Sequence, residues 1–303
     1  MHKENVISKL LILLLIGILC LSGCKADHNK HAHEKFRIIS LSPHITEILY
    51  KLGAQENLIA VTDFCRFPEE VMKIEKIGGL LNPNIEKIVS LNPTHVFGVP
   101  AHADLATALH QFQIQITMLP NETILDFLDT VAKIGRMIDK ELMATDLIRD
   151  FTDSLNAFSI PQRTDVLTAV LVIGRENGSL RNITVAGTST FISELWEKIG
   201  GSNIYSDLPT HYATITVESL LIRNPHIIIE LNSSDPAEVT HLSSGTDWHN
   251  LSNVEAVQMN HIFKISGNHT LIPGPRMLAL ARSFAEIIKK VHDEKRLYSG
   301  IHR

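Results

Sequence analysis

The sequence predicts an α/β fold in which two Rossmann-like lobes are joined by a single long backbone helix. Three observations predict it. Short apolar runs rich in β-branched residues alternate with amphipathic helical stretches along most of the chain. Two motif pairs recur in the same order in both halves, and a Gly-poor stretch of helical composition lies between them.

The predicted strands are RIISLS (37–42), LIAVT (58–62), THVFGV (94–99), IQITML (114–119), LTAVLVI (167–173), HIIIEL (226–231) and HIFKIS (261–266). Amphipathic stretches such as Thr46–Leu52 and Phe191–Ile199 fall between them. Strands buried on both faces and alternating with helices mean parallel sheets. TEILYKLG, with Glu47 six residues before Gly53, parallels SELWEKIG, with Glu194 six residues before Gly200. NIEKIVSLNPTHVF, with Glu86 six residues before Asn92, parallels TVESLLIRNPHIII, with Glu218 six before Asn224. Duplicated lobes account for both pairs, and the alternative is chance similarity between α/β units. The connecting stretch 121–158 holds only one glycine, Gly135, and its part from Asp139 to Ala157 reads as one unbroken helix roughly 28 Å long. Such a rigid link predicts little hinge motion and leaves a cleft between the lobes.

The N-terminus predicts the compartment. Lys3 and Lys9 precede an apolar run from Leu10 to Leu21, about a dozen residues. That is too short for a mature bilayer-spanning helix, which needs about 20, and reads as a secretory signal. Leu21-Ser22-Gly23-Cys24 matches the bacterial lipobox, in which the Cys24 sulfur receives a diacylglycerol; the alternative is a stray cysteine in an ordinary signal. Two acyl chains suffice for stable anchoring. Cys20 leaves with the signal and Cys24 is lipidated, so Cys65 remains without a disulfide partner. The predicted division is therefore signal peptide 1–23, flexible tether 24–35, N-terminal lobe 36–120, connecting helices 121–160 and C-terminal lobe 161–303. The tether's His28, His31 and His33 could take metal, but a solvated linker is the simpler reading. A net charge of −5 without a basic run excludes nucleic acid as an expected partner.

Ligands of open parallel sheets bind beyond the carboxyl ends of the strands. Residues just past those ends include His44, Phe64, His102, Arg175 and His269, with His211 and Tyr212 in a loop before the second Glu-containing helix. The set is rich in imidazole with aromatic and cationic groups, which suits a planar or metal-bearing ligand. Each has a plainer alternative: a helix cap for His44, solvated loops for His102 and His211, and close packing for Cys65. Arg276, in IPGPR, pairs with an anionic ligand or anchors the last helix. No G-x-S-x-G, H-E-x-x-H, P-loop or G-x-G-x-x-G after a strand occurs, so no catalytic constellation and no cofactor is expected.

RIISLSPHITEILYKLG, DFCRFP, NIEKIVSLNPTHVFG, the second Glu helix and PGPR resemble, in order over about residues 36 to 290, the iron-chelate/cobalamin periplasmic-binding family. The likeness is greatest to its cobalamin-binding branch, through KIE (73–75), NIEKIV (84–89) and PGPR (273–276). The resemblance implies the class III periplasmic-binding-protein architecture and a monomeric, non-enzymatic receptor that hands ligand to an ABC permease and its ATPase. It also implies that Glu86 and Glu218 dock on permease arginines, one from each lobe. Phe64 and Tyr212 stand where the cobalamin branch has cleft aromatics, and Leu80 and His269 where it can carry Trp. Trp196 and Trp248 are expected away from the cleft. Cobalamin or a related corrinoid is the expected ligand, with haem, a ferric siderophore or bare Zn/Mn on His44, His102, His211 or His269 as alternatives. An extracytoplasmic enzyme, and a surface adhesion or signalling receptor, are more distant ones.

Overall fold

The computed structural model describes residues 36–159, 165–234, 238–241 and 247–301. The signal peptide, Cys24 and the tether lie outside the described residues. The first sheet contains β1 (Ile38–Ser40), β2 (Leu58–Val61), β3 (Glu75–Lys76), β4 (His95–Gly98) and β5 (Ile116–Met118), in the order β3-β2-β1-β4-β5. All of its pairings are parallel. This is the doubly wound order, in which strands diverge on either side of β1 and loops gather at their carboxyl ends. Three helices accompany it: α1 (Pro43–Lys51), α2 (Ile85–Ser90) and α3 (Ala103–His110). Ile39, Leu41, Ala60, Ile77, Ile88, Val96, Leu105 and Leu109 close its core.

Two helices, α4 (Ile124–Met137) and α5 (Glu141–Phe158), then lead toward the second half. The break between them falls at Asp139, whose φ of 56° leaves the helical region. Thr123 caps α4 by accepting from the Asp126 amide at 3.0 Å. Phe127 and Phe151 meet across the α4–α5 pair, tilted by 52° with ring centres 4.7 Å apart.

The second sheet is made of β6 (Thr168–Gly174), β7 (Ile183–Ala186), β8 (Ser202–Asn203), β9 (Tyr212–Ile215), β10 (Ile227–Asn232), β11 (Glu238–His241) and β12 (Ile262–Ser266). Its order is β11-β12-β10-β6-β7-β9, with β8 on β6. The expectation of a parallel sheet holds for β6, β8, β10 and β12 only. β7 runs antiparallel to both β6 and β9, and β11 runs antiparallel to β12. Its helices are α6 (Phe191–Ile199), α7 (Val217–Arg223), α8 (Glu255–Gln258) and α9 (Met277–Ile301). Trp196 of α6 meets Phe284 of α9 edge to face at 5.3 Å, while α5 packs on α4, α6 and α9.

The repeat is visible in backbone geometry. α1 matches α6, and α2 matches α7. Asn92 and Asn224, the asparagines of the two Asn-Pro pairs, both turn left-handed, with φ of 44° and 43°. Asparagine tolerates that conformation at a helix end, and the following proline stops the helix before β4 or β10.

Candidate ligand-binding site

At the carboxyl ends of the first sheet, the two predicted histidines are enclosed. His44 lies within 2.9 Å of the Ser42 hydroxyl through Nδ1, and its Nε2 is buried without a hydrogen-bond partner. Burial, then the neighbouring His102, pushes its pKa down to about 3, so it stays neutral. His102 accepts from the Val99 amide through Nδ1 at 2.9 Å and donates from Nε2 to the Leu80 carbonyl at 2.8 Å. It ties two loops together. Phe64 does the opposite and stands 55% exposed after β2. The next residue, Cys65, is buried and accepts from the Thr46 hydroxyl at 3.2 Å; burial raises its pKa, so it remains a thiol.

Arg276 brings the two halves together. Its guanidinium forms a bidentate pair with Glu47 of α1, at 2.6 and 3.0 Å, although the residues are 229 positions apart. Glu47 is only 3% exposed. The same guanidinium donates to the Asn268 side chain and lies 4.1 Å from the centre of the Phe67 ring. Burial raises the Glu47 pKa, opposed by the hydrogen bonds and charge of Arg276. Helix α1 and the loops after β2 and β12 therefore meet at one arginine.

Arg175, past the end of β6, belongs to a second network. Its Nε donates to Glu230 at 2.6 Å and its Nη1 to Asp247 at 2.8 Å and to the Ser179 carbonyl at 2.8 Å. Burial works against its charge, but the two carboxylates outweigh burial and raise its pKa. Trp248, expected elsewhere, supports this network: it donates to Glu230 at 2.7 Å and lies under the guanidinium at 5.5 Å. Arg175, Asn177, Glu230, Asn232 and Lys264 line a polar depression of about 540 Å³ at the carboxyl ends of β6 and β10.

Tyr212 begins β9 rather than lying in a loop; its neighbour across the ladder is Ala186 of β7. It is 36% exposed. Burial, together with the charge and hydrogen bond of Glu122, raises its pKa, so the phenol keeps its proton. His211 contacts the Ser189 carbonyl through Nδ1 at 2.9 Å. His269 is buried beside Leu278 and Arg282 of α9, in a different depression from Arg175. His44 and His102 are neighbours, whereas His211 and His269 lie in separate surroundings. Among the described residues, no group of three or more His, Cys, Asp or Glu side chains is placed to hold a metal ion.

Glu86 and Glu218 occupy equivalent exposed places in the first turns of α2 and α7. Asn84 caps α2 by accepting from the Lys87 amide at 2.9 Å, and Thr216 caps α7 by accepting from the Ser219 amide at 3.2 Å. Hydrogen bonds from its own amide and from Thr216 lower the Glu218 pKa.

Sequence reasoning found the strand-end positions, Asn268 among them, but missed most of the partners: Glu47 as an ion-pair member, Phe67, Glu122, Glu230 and Asp247. One signal was present. A glutamate inside the apolar run HIIIEL is a misfit that asks for a buried cation.

Comparison with known proteins follows the same outline. The model of the periplasmic binding protein family matches residues 38–268. A vitamin B12-binding protein of Vibrio parahaemolyticus is 26% identical over 80% of this chain and 85% of its own. An uncharacterized ABC transporter substrate-binding lipoprotein, YvrC of Bacillus subtilis, is 26% identical over 84% of this chain and 80% of its own. Among solved structures, the periplasmic heme binding protein HutB of Vibrio cholerae superposes with a TM-score of 0.71 at 22% identity, over 84% of this chain and 98% of that one. The chain belongs to the periplasmic binding protein family and is an extracytoplasmic, non-enzymatic substrate-binding component of a transport system.

Proposed function

We propose that the chain is the lipid-anchored substrate-binding protein of an ABC importer, capturing cobalamin or a related corrinoid at the carboxyl ends of its two sheets. One observation carries the choice of ligand: both arginines at the site are already paired with carboxylates, Arg175 with Glu230 and Asp247, and Arg276 with Glu47. A haem or carboxylate siderophore brings anionic groups that call for an unpaired cation. A corrinoid is rimmed by neutral amides, which match a polar depression whose arginine is already paired with carboxylates. Tyr212 supports the same reading. A ferric-iron ligand must be deprotonated, and Glu122 favours the protonated phenol. The 26% identity to a vitamin B12-binding protein over 80% of the chain agrees.

In this account Phe64 and Tyr212 supply apolar faces for the corrin ring, and the Arg175 network presents fixed hydrogen-bonding groups to its amides. The charged partners stay paired while ligand enters and leaves. Replacing Phe64 and Tyr212 together by Ala should weaken cobalamin binding by about 2–4 kcal/mol, as for desolvated aromatic anchors, with the melting temperature nearly unchanged. Unaltered affinity would place the ligand elsewhere. The anchor is tested separately: Cys24→Ser should leave an unprocessed or freely soluble protein, and a processed protein with unchanged membrane partitioning would contradict lipidation.

A further inference from the structure

The repeat makes α2 and α7 directly comparable, and their outer faces differ. Residue by residue, Glu86 matches Glu218, Lys87 matches Ser219, Ile88 matches Leu220, Val89 matches Leu221 and Ser90 matches Ile222. Ile88 and Leu220 are the buried members of each helix. On α2, Lys87 pairs with Glu75, and the exposed Ser90 hydroxyl donates to the Lys87 carbonyl. On that face only Val89 is aliphatic, and it is half-buried against the core of the first sheet.

On α7 the polar groups are drawn to one side. Ser219 meets the Tyr205 hydroxyl at 3.2 Å. Arg223 forms a bidentate pair with Asp207 at 2.8 and 2.9 Å and lies 4.6 Å from the Tyr205 ring. With Leu220 inward, Glu218, Leu221 and Ile222 remain. Residues three and four apart share one helix face, so the carboxylate and the two aliphatic side chains form a single strip. Leu221 is 39% exposed and Ile222 is 85% exposed.

A lone exposed aliphatic side chain is ordinary on a protein surface. This one is less so, because it sits one turn from a carboxylate repeated in both lobes, and its counterpart in the other lobe is serine. We propose that Ile222, flanked by Leu221, is an apolar anchor for the importer's permease that the N-terminal lobe lacks, so that the two lobes dock inequivalently. The inference rests on the reading that Glu86 and Glu218 face the permease. The occupant is the permease's extracytoplasmic surface, presenting a cation to Glu218 with an apolar recess beside it. The N-terminal lobe offers Glu86 within a polar face, and so suits a recess that is wetter and more polar. The permease would then hold the receptor through one tight and one loose contact.

The test uses the full receptor with its own importer reconstituted in proteoliposomes, reading receptor-stimulated ATP hydrolysis against receptor concentration. Ile222→Ser, which copies the N-terminal lobe, should raise the half-saturating concentration about tenfold, as loss of an interface anchor does. Ile222→Leu should retain wild-type behaviour, and ligand affinity and melting temperature should not move in either variant. Adding Ser90→Ile to Ile222→Ser should not restore docking. A half-saturation for Ile222→Ser within about twofold of wild type, or full rescue by Ser90→Ile, overturns the proposal. Glu86→Arg with Glu218→Arg separates the two claims. If that variant is inactive while Ile222→Ser is unaffected, the glutamate docking stands and the anchor falls. If it transports normally, the docking reading itself fails.

Discussion

Arg276 shows how much a single residue determines here. It pairs with a carboxylate that is 3% exposed, and it ties segments of both halves to one point. Removing one member of a buried pair leaves an uncompensated charge and costs about 3–5 kcal/mol. Arg276→Met should therefore destabilise the protein by about 3 kcal/mol near pH 7.5. The pH dependence has a definite sign. Burial already raises the Glu47 pKa, and loss of Arg276 removes the main influence lowering it. A carboxyl group with a raised folded-state pKa is penalised above that pKa and relieved as pH falls and it binds a proton. The deficit of Arg276→Met relative to wild type should shrink in urea titrations moved from about pH 7.5 to about pH 5. A deficit that is constant or grows on acidification would show that Glu47 is not the charge left behind. At this scale the sequence offered the arginine and, as one of two readings, an anchoring role, but not its partner, because Glu47 lies 229 residues away. The partners of Arg175 are similarly remote, 55 and 72 residues along the chain.

Elements were more legible, for a physical reason. Parallel strands covered on both faces must be apolar along their length, and all seven runs of that kind contain strands. Phe191–Ile199 was also legible, because its amphipathic pattern ends at Gly200, left-handed with φ of 109°. β7 and β9 were not read. They are short and antiparallel, and β9 alternates exposed with half-buried residues, leaving no continuous apolar signal. The connector was expected to hold an unbroken helix from Asp139, and the helix begins at Glu141, after the backbone turns at Asp139. Its fit to α4 depends on Gly135, where an added Cβ would lie 2.5 Å from the Ala144 Cβ and 3.2 Å from the Lys140 carbonyl. Alanine gains about 1 kcal/mol over glycine inside a helix, whereas overpacking costs about 1–3 kcal/mol. Gly135→Ala should thus lower stability by up to about 2 kcal/mol, and Ala144→Gly in the same chain should recover part of it. A stabilised Gly135→Ala would show that α4 and α5 are not in close contact there.

For the molecule as a whole, the duplication explains more than the outer glutamates. Glu47 and Glu194, the other repeated pair, each hold a segment that leads into a helix. Glu47 binds Arg276, which immediately precedes α9, and Glu194 accepts from the Ile124 amide at the start of α4 at 2.7 Å. Equivalent carboxylates in the two repeats thus fasten chain segments that join the halves, which fits a receptor whose ligand-binding loops are held in place before ligand arrives. The central claim is that this prearranged site, with its two arginines paired internally, takes an amide-rimmed corrinoid in preference to an anionic chelate. The most direct measurement is calorimetric titration of the mature protein with cobalamin, with hemin and with a ferric carboxylate siderophore, each followed by thermal unfolding at saturation. The account predicts one cobalamin bound per chain, a stabilisation of about 2.7 kcal/mol once free ligand reaches a hundredfold excess over Kd, and far weaker binding of the two anionic ligands. Saturable binding of hemin or the siderophore, with no heat and no thermal shift from cobalamin, would contradict it.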